Sequence, residues 1–305
     1  MKSRDLSDLL LLAAIWGGSF LFMRMLVPAF GPVAMAFVRV AGAALLLLPL
    51  LVLRGQWPAL CDNWRPMVLL GMTNSALPFL LFGYAVYTLP AGLAAVFNAA
   101  TPLSTALIAW LWLGDPLTRW RSAGLALGFA GVAGLAAYKS IDVSSLQGLQ
   151  LDHATALAVA ACLAGTLLYG HAGCHAKRYL PGVPAMAMAA GTQTAAALAL
   201  LGPALLSWPE VNPSLRDWAM AVALAVLASG VAYMLYFRLI THIGPTGAAT
   251  VTFLVPVSAA GWGALVLGEA VTLPMLIGGA VILAGTALVI GLLPRRRAAL
   301  PPPEV

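Results

Sequence analysis

Polar side chains stand beside two prolines inside long apolar stretches of this sequence. Asn98 and Thr101 come before Pro102, and Thr250 comes before Pro256. A proline inside a helix removes one backbone hydrogen bond and frees a carbonyl group. In a bilayer that carbonyl must be satisfied by protein or by water in a cavity. The two prolines therefore indicate a polar cavity in the middle of a membrane, with a simple packing kink as the alternative.

Aromatic rings, amides and hydroxyls recur in the same apolar stretches. Such a mixture suits a small amphiphilic solute, a metabolite or an amino acid, and an amide that faced lipid would cost free energy. The alternatives are hydrogen bonds between helices for the amides and hydroxyls, and contact with lipid or the membrane interface for the rings. We predict helix breaks at Pro102 and Pro256. We predict a substrate cavity lined by Trp16, Ser19, Phe20, Asn74, Tyr84, Phe97, Asn98, Thr101, Tyr169, Tyr233, Thr250, Phe253 and Ser258.

Few charges fall within or beside the apolar stretches. Arg39 lies close enough to a predicted membrane surface to snorkel outward; it could also pair with a carbonyl or attract an anionic group, and we favour a structural role. Asp115 is followed four residues later by Arg119 and is expected to cap a turn. Glu269 has no evident partner and is a candidate proton carrier. No carboxylate lies in the middle of an apolar stretch, so the sequence does not support proton coupling.

His171 and His175 are four residues apart, with Cys174 beside them, which is a spacing that metal ligands adopt on a helix. Two basic residues follow, Lys177 and Arg178, and no carboxylate is near. We therefore predict a solvated histidine pair, no metal site and no cofactor.

The sequence also lacks an HExxH motif and paired aspartates within its apolar stretches, so an intramembrane enzyme is not expected.

The composition explains why the apolar stretches are so long. Of 305 residues, 62% are hydrophobic and 9% are charged, whereas soluble domains carry about 25% charged residues. This excludes a soluble globular protein, and a disordered chain would need fewer apolar residues and more charge. The basic residues behind the net charge of +6 are scattered along the sequence, so they do not form the basic patch of a nucleic-acid-binding face.

The sequence contains three cysteines, and we expect all three to be free thiols: Cys61, Cys162 and Cys174.

The apolar stretches can be divided into membrane crossings, because a helix needs about 20 residues to cross a bilayer. No charge lies between Arg65 and Asp115, so that piece holds two crossings with a break at 88–92. Similar reasoning places a break at 28–32 and a turn at Gly244–Pro245. A signal peptide is set aside because no clear cleavage site follows the first apolar run. The predicted fold is an all-α membrane protein with ten transmembrane helices, at 8–26, 33–53, 66–87, 91–113, 119–138, 153–174, 184–206, 217–238, 246–267 and 272–293.

Ten crossings place both termini on the same side of the membrane. If that side is cytoplasmic, most of the 16 basic residues fall in inner segments, as the positive-inside rule requires. The outer side then keeps Arg24, Arg39, Lys139 and Arg216. We therefore predict a multi-pass protein of a bacterial inner membrane with both termini in the cytoplasm.

The two halves of the sequence match at a nearly constant offset. The motif Pro-(x11)-Gly-acid occurs in each half and ends at Asp115 and at Glu269, and Arg39 aligns with Gln193. Each copy has an odd number of crossings, so the second copy is inverted in the membrane, an architecture that recurs in transporters. We predict repeats at 1–139 and 153–293, a periplasmic linker at 140–152 and a cytoplasmic tail at 294–305. Further matches are Trp16 with Tyr169, Thr118 with Thr272, Gly124 with Gly278 and Gly131 with Gly285.

The run AIWGGSF at 14–20, Arg39 and the duplicated Pro-(x11)-Gly-acid motif resemble the drug/metabolite transporter superfamily, in particular its EamA-type members with ten helices. The resemblance covers about residues 7–291, and Asp115 stands where glutamate is more usual. It implies a secondary transporter of small organic solutes, often an exporter, with a central cavity lined by both halves. It does not imply one substrate.

We therefore expect an exporter of a small metabolite or amino acid that works by alternating access. The alternative within the same superfamily is a flippase of lipid-linked sugars, or a non-transporting partner of one. Membrane lipids and the solute are the expected partners. Gly124-(x3)-Gly128 allows close helix packing, which would serve either the monomer or a homodimer.

Overall fold

A computed structural model describes residues 3–142 and 150–291, and helices make up almost all of this part of the chain. The prediction of a helical membrane protein is confirmed. The predicted tail at 294–305 and most of the predicted linker at 140–152 lie outside the described residues. Seven of the described helices are long and apolar enough to cross a bilayer: Arg4–Leu53, Trp64–Thr88, Ala91–Leu113, His153–Tyr179, Ala185–Leu206, Leu215–Tyr236 and Leu273–Ile290.

The helices follow one another with short connections. The first half contains α1 (Ser3–Leu53), α2 (Trp57–Asp62), α3 (Trp64–Gly71), α4 (Leu77–Thr88), α5 (Ala91–Asn98), α6 (Thr101–Ile108) and α7 (Arg119–Ser140). Two short antiparallel strands, β1 (Ile141–Asp142) and β2 (Gln150–Leu151), separate the halves. The second half contains α8 (His153–Tyr179), α9 (Ala185–Leu206), α10 (Leu215–Ala223), α11 (Ala232–Ala249), α12 (Val251–Leu267) and α13 (Leu273–Ile290).

The first two predicted crossings form one element, α1, which is interrupted at Gly31. Gly31 has φ 71° and ψ 165°, a backbone conformation that residues with a side chain rarely adopt. Pro28 and Pro32 flank it, and each lacks the N–H donor that a continuous helix needs. The interruption therefore falls within 28–32, where the sequence predicted a break.

In the part of the chain that the structure describes, three turns of π-helix interrupt the α-helices. They span Met72–Ala76, Ala109–Leu113 and Leu224–Val231. Such turns often occur at functional sites, because the extra residue redirects the side chains that follow. The first and the third π-turn carry the polar residues Ser75 and Ser229. Both serines lie in the interior of the molecule, as described below.

The two prolines that were expected to break helices behave differently. Pro102 lies at the start of α6, directly after a turn at 99–100, so a break is present there. Pro256 lies inside α12, which continues to Leu267, so the predicted break at Pro256 is wrong. The chain turns at Thr250 instead. α12 continues through Pro256 although the missing N–H of this proline removes one hydrogen bond from the helix.

The predicted turn at Gly244–Pro245 is also wrong. α11 runs without interruption from Ala232 to Ala249. Glycine and proline are tolerated inside transmembrane helices, because neighbouring groups can satisfy the backbone that they leave unbonded. Gly244 and Pro245 are therefore not sufficient to end this helix.

Helices of the two halves pack against each other along most of the molecule. α1 contacts α9, α12 and the π-turn Leu224–Val231, while α4 and α6 both contact α8. α5 contacts α12, and α7 contacts α13. Large buried side chains fill the interior, among them Phe82 and Leu103. The core of the molecule therefore lies at the boundary between the halves.

α7 and α13 approach each other through glycines. A Cβ atom on Gly285 would lie 2.5 Å from the backbone nitrogen of Gly128 and 2.7 Å from the carbonyl oxygen of Gly124. Only residues without a side chain allow two backbones to come this close. The small-residue stripe thus packs within the chain, and a homodimer stays a prediction.

We expect Gly285→Ala to lower the free energy of unfolding by about 1–3 kcal/mol, because overpacking forces the two backbones apart. Gly134→Ala is the matched control, since a Cβ atom at Gly134 in α7 would have no atom within 4 Å. It should be neutral, or stabilising by up to about 1 kcal/mol, because alanine favours the helix. Thermal unfolding of the purified protein in detergent measures both, and equal melting temperatures would contradict the close approach.

Candidate functional site

Among the described residues, two hydrogen bonds in the interior each join a long polar side chain to a buried serine. The Nε of Arg39 donates to the Oγ of Ser229 at 3.3 Å. The Nε2 of Gln193 donates to the Oγ of Ser75 at 3.1 Å. Arg39 is 5% exposed and the other three residues have no exposed surface. Because lipid offers no hydrogen-bonding partner, these side chains depend on one another.

The two hydrogen bonds are equivalent across the halves of the chain. As many residues separate Arg39 from Gln193 as separate Ser75 from Ser229. The same offset relates the two Pro-(x11)-Gly-acid motifs. Each half thus supplies one long side chain and one serine, and each long side chain bonds to the serine of the other half.

Arg39 has further contacts around its guanidinium. The guanidinium carbon lies 3.7 Å from the ring centroid of Phe79, and Nη1 lies 3.4 Å from the sulfur of Met23. Among the described residues no carboxylate forms an ion pair with Arg39. The expectation that this side chain could snorkel to the surface is wrong, because a ring, a thioether and a hydroxyl hold it inside. Arg39 connects α1 to α4 and to the π-turn Leu224–Val231.

Tyr233 extends this group of polar residues. Its hydroxyl forms hydrogen bonds with the side chains of Asn74 and Gln193, and Arg39 lies close enough to interact with it electrostatically. Asn74 and Tyr233 are partly exposed, so they present polar groups beside the fully buried ones. We call six residues the central polar cluster: Arg39, Asn74, Ser75, Gln193, Ser229 and Tyr233.

Aromatic side chains adjoin the central polar cluster. Trp16 donates its Nε1–H to a carbonyl of the π-turn Leu224–Val231 at 3.2 Å, and its ring centroid lies 5.3 Å from that of Tyr236. The ring of Phe82 lies 6.0 Å from Tyr169 and 5.7 Å from Phe20. Separations of this size are favourable contacts between rings. The structure therefore places three predicted residues, Trp16, Phe20 and Tyr169, in the interior.

The polar residues at the break between α5 and α6 bond to the backbone around it. The hydroxyl of Thr101 donates to the carbonyl of Asn98 at 2.7 Å, and the hydroxyl of Thr105 donates to the carbonyl of Thr101 at 2.9 Å. These bonds satisfy carbonyl groups near the break. Asn98 and Thr101 are both partly exposed, so they still present polar surface.

Other residues predicted to line a cavity have different environments. Phe97 has no exposed surface and packs in the apolar core, and its place on a cavity wall stays a prediction. Tyr84 is 41% exposed. Ser19 is buried and donates its hydroxyl to the carbonyl three residues earlier at 2.7 Å. Thr250 and Phe253 lie partly buried at the start of α12.

Ser258 lies at a close contact between α1 and α12. A Cβ atom on Gly17 would be 2.6 Å from the Cβ of Ser258. The equivalent contact occurs in the other direction, since a Cβ atom on Gly170 would be 2.8 Å from the carbonyl carbon of Ser104. The halves therefore exchange a packing contact as well as a hydrogen bond.

Sequence reasoning did not assign three members of the central polar cluster to a site. Gln193 was aligned with Arg39 but given no role, and the predicted cavity lining did not include Ser75 or Ser229. The signal was available, because the offset that aligns Arg39 with Gln193 also aligns the two serines. Phe79 carries no polar group and offered no such signal.

Ion pairs join the halves near the ends of the helices. The Nε of Arg24 lies 3.3 Å from an oxygen of Glu269, and the backbone N–H of Ala91 donates to Glu269 at 2.9 Å. Lys177 pairs with Asp115 at 2.8 Å. Two expectations are therefore wrong: Glu269 has partners, and Asp115 binds a lysine far along the chain rather than standing beside the arginine that follows it. Both partners come from the other half, so local spacing could not reveal them.

The histidine pair is covered by another ring, so the expectation of a solvated pair is wrong. The ring of Trp112 stacks on His171 with centroids 5.0 Å apart, and His175 is 4% exposed. The Nε2 of His175 lies 3.0 Å from the carbonyl oxygen of Pro66. Cys174 is buried, and it is a free thiol like the other two cysteines. In the part of the chain that the structure describes, no three His, Cys, Asp or Glu side chains are grouped as metal ligands.

We expect Glu269→Ala to cost more stability than Asp115→Ala. The first change leaves the N–H of Ala91 without its acceptor and a partly buried Arg24 unpaired, which costs about 1–3 kcal/mol. The pair of Asp115 with Lys177 is more exposed, with side chains 37% and 62% accessible, so its loss costs about 0–1 kcal/mol. Thermal unfolding in detergent compares the two, and an equal or larger loss for Asp115→Ala would refute this ranking.

Several known proteins are similar to this chain in sequence, and a solved structure is similar to it in fold. The EamA-like transporter family matches the chain twice, at 8–137 and 156–291. The uncharacterized inner membrane transporter YedA of Escherichia coli is 29% identical over 84% of this chain and 80% of its own length. The uncharacterized transporter YvbV of Bacillus subtilis is 24% identical over 94% of this chain and 92% of its own length.

A plant protein and a solved structure extend the comparison. A WAT1-related chloroplastic protein of Arabidopsis thaliana is 28% identical over 90% of this chain, which spans 66% of that longer protein. A crystal structure superimposes with a TM-score of 0.64 at 18% identity, covering 96% of this chain and 98% of the other. The structure shows a shared fold, while the family match extends over nearly the whole sequence. The chain therefore belongs to the EamA-like transporter family, as its resemblance to the drug/metabolite transporters predicted.

Proposed function

We propose that this chain is a secondary transporter that exports a small organic solute, a metabolite or an amino acid, across the inner membrane of a bacterium. Membership of the EamA-like family supports transport, and the name of the Escherichia coli relative supports the inner membrane. Because the family is one of transporters, we assign no enzymatic reaction to the chain.

The observation that carries the proposal is the exchange of equivalent hydrogen bonds between the halves. Arg39 in the first half bonds to Ser229 in the second, and Gln193 in the second bonds to Ser75 in the first. Two inverted halves that make the same contacts can exchange roles at similar free energy. Such an exchange would open the interior first to one side and then to the other, which is alternating access.

The proposal includes ten crossings with both termini in the cytoplasm. Gly31 would divide α1 into two crossings. Arg24 and Glu269 would then lie at the outer ends of their helices, and Asp115 and Lys177 at the cytoplasmic ends. One ion pair would close each side of the interior, so each must separate when its side opens.

We place the solute against the partly exposed members of the central polar cluster and the rings beside them. Asn74 and Tyr233 offer an amide and a hydroxyl, and Trp16 and Tyr169 offer aromatic faces that are also partly exposed. Asn98 adds a second amide at the break between α5 and α6. A site of this kind suits a solute with an apolar body and one or two polar groups.

Arg39 and Glu269 take part in the conformational change in this proposal, rather than in proton transfer. Arg39 bonds to the other half through Ser229 at 3.3 Å. Glu269 bonds to the other half through Arg24 and Ala91. Because both side chains join the two halves, their bonds must change when the halves move.

We expect Tyr233→Phe to slow solute efflux about tenfold, because the hydroxyl that bonds Asn74 and Gln193 is lost. Tyr87→Phe is the matched control, since the Tyr87 side chain is 53% exposed and is not part of the central polar cluster. Proteoliposomes loaded with a mixture of the common amino acids and small amines, followed by mass spectrometry of the released solutes, measure efflux.

Two results would contradict the proposal in different ways. Equal efflux through both variants would show that the central polar cluster does not bind the solute. If wild-type proteoliposomes release no solute but move a fluorescent lipid between leaflets, a lipid-flippase activity replaces solute transport.

A further inference from the structure

A cavity lies at the boundary between the halves, separate from the central polar cluster. Its volume is about 450 Å³, and it opens at the surface. Arg54, just after the end of α1, and Arg238 in α11 line it from the two halves. Gln56, Ala185, Met186 and Met234 also contribute to its wall. We call this cavity the basic pocket.

The basic pocket has excess positive charge. Arg54 and Arg238 line it, and no carboxylate of the described residues does. Arg54 is exposed and has no ion-pair partner among the residues of 3–142 and 150–291. Arg238 pairs with Asp8 at 2.9 Å, outside the lining, so one carboxylate offsets only one of the two arginines. An anion in the pocket would be attracted by the remaining charge.

The N-terminus of α9 adds backbone donors to the same pocket. The helix begins at Ala185, Pro184 precedes it, and no side chain caps it. The first N–H groups of a helix lack partners within the helix and carry the positive end of its dipole. Ala185 and Met186 line the pocket. Two arginines beside a free helix N-terminus form the type of site that binds phosphate.

Apolar surface borders the basic pocket on the side of the helices. Val52 and Leu53, which precede Arg54, are 56% and 82% exposed, and Met234 in the lining is 37% exposed. A lipid acyl chain can lie along this surface while its headgroup occupies the pocket. The buried Oε1 of Gln56 has no hydrogen-bond donor among the described residues, so it can accept a bond from a headgroup hydroxyl.

The equivalent positions at the opposite end of the molecule do not carry the same charges. By the offset that relates the halves, Trp208 corresponds to Arg54 and Tyr84 corresponds to Arg238. Glu210, two residues after Trp208, stands at the position of Gln56 and brings negative charge. The charges of the basic pocket therefore occur at one end of the molecule and do not follow from the repeat.

We propose that the basic pocket binds the headgroup of an anionic glycerophospholipid. Arg54, Arg238 and the N-terminus of α9 hold its phosphate, and the Oε1 of Gln56 accepts a hydrogen bond from a hydroxyl of the headgroup. Phosphatidylglycerol has this chemistry, with one phosphate diester and two free hydroxyls. The bound phosphate competes with Asp8 for Arg238 and so weakens a contact between α1 and α11. This binding does not depend on the proposed transport function.

Titration of phosphatidylglycerol into the purified full chain in detergent tests the proposal, with bound lipid counted by native mass spectrometry. Phosphatidylcholine is the zwitterionic comparison and should bind at least tenfold more weakly. Arg54→Gln should weaken binding of phosphatidylglycerol about fivefold, the contribution of one cation near a phosphate. Arg119→Gln is the matched control, because Arg119 is exposed at the start of α7 and does not line the pocket.

A second variant tests the helix N-terminus without loss of an arginine. Ala185→Glu places a carboxylate in the first turn of α9, which favours the helix but repels phosphate, so lipid binding should fall while the melting temperature holds. Equal lipid binding by wild type, Arg54→Gln and Ala185→Glu would overturn the proposal. Displacement of the lipid by an equal concentration of glycerol 3-phosphate would also overturn it, since the ligand would then be a soluble phosphate ester.

Discussion

The structure depends on hydrogen bonds between polar side chains that have no access to water. Arg39 bonds to Ser229, and Gln193 bonds to Ser75, in the interior of a protein whose surroundings are lipid. A bilayer makes any unbonded polar group there costly, and most of all a charged one. The position of Arg39 therefore requires that the second half lie against α1, and that the π-turns carrying the two serines present them to the interior.

The same exchange of contacts is repeated at greater distance from the centre. Gly17 packs against Ser258 as Gly170 packs against Ser104, and the two ion pairs at the helix ends follow the same rule. Each of these contacts has a counterpart in the other half, which fits the exchange of roles proposed above. Features without a counterpart, such as the basic pocket and the ring of Trp112 on the histidines, are where a preference for one side can arise.

Local properties of the sequence predicted much of the fold, and partners from the other half account for some of the errors. Hydropathy and the offset between the halves predicted a helical, duplicated membrane protein, and the prolines around Gly31 predicted the interruption of α1. A proline was also expected to break a helix at Pro256. It does not, because α12 continues with one backbone hydrogen bond fewer. The partners of Glu269 and Asp115 were not predictable from spacing, since each comes from a distant helix. The offset held more information than we used, because it also relates Ser75 to Ser229.

A double-mutant cycle on Arg39 and Gln193 tests the equivalence of the halves most directly. Gln193→Arg alone should destabilise the protein strongly, because two guanidinium groups would then flank Tyr233 without a counter-charge. Adding Arg39→Gln should restore most of the lost stability, because the new guanidinium faces Ser75 and the ring of Tyr233 as the old one faced Ser229 and Phe79. The account predicts a favourable coupling of about 1–3 kcal/mol in thermal unfolding. A double variant no more stable than the sum of its single changes would contradict it.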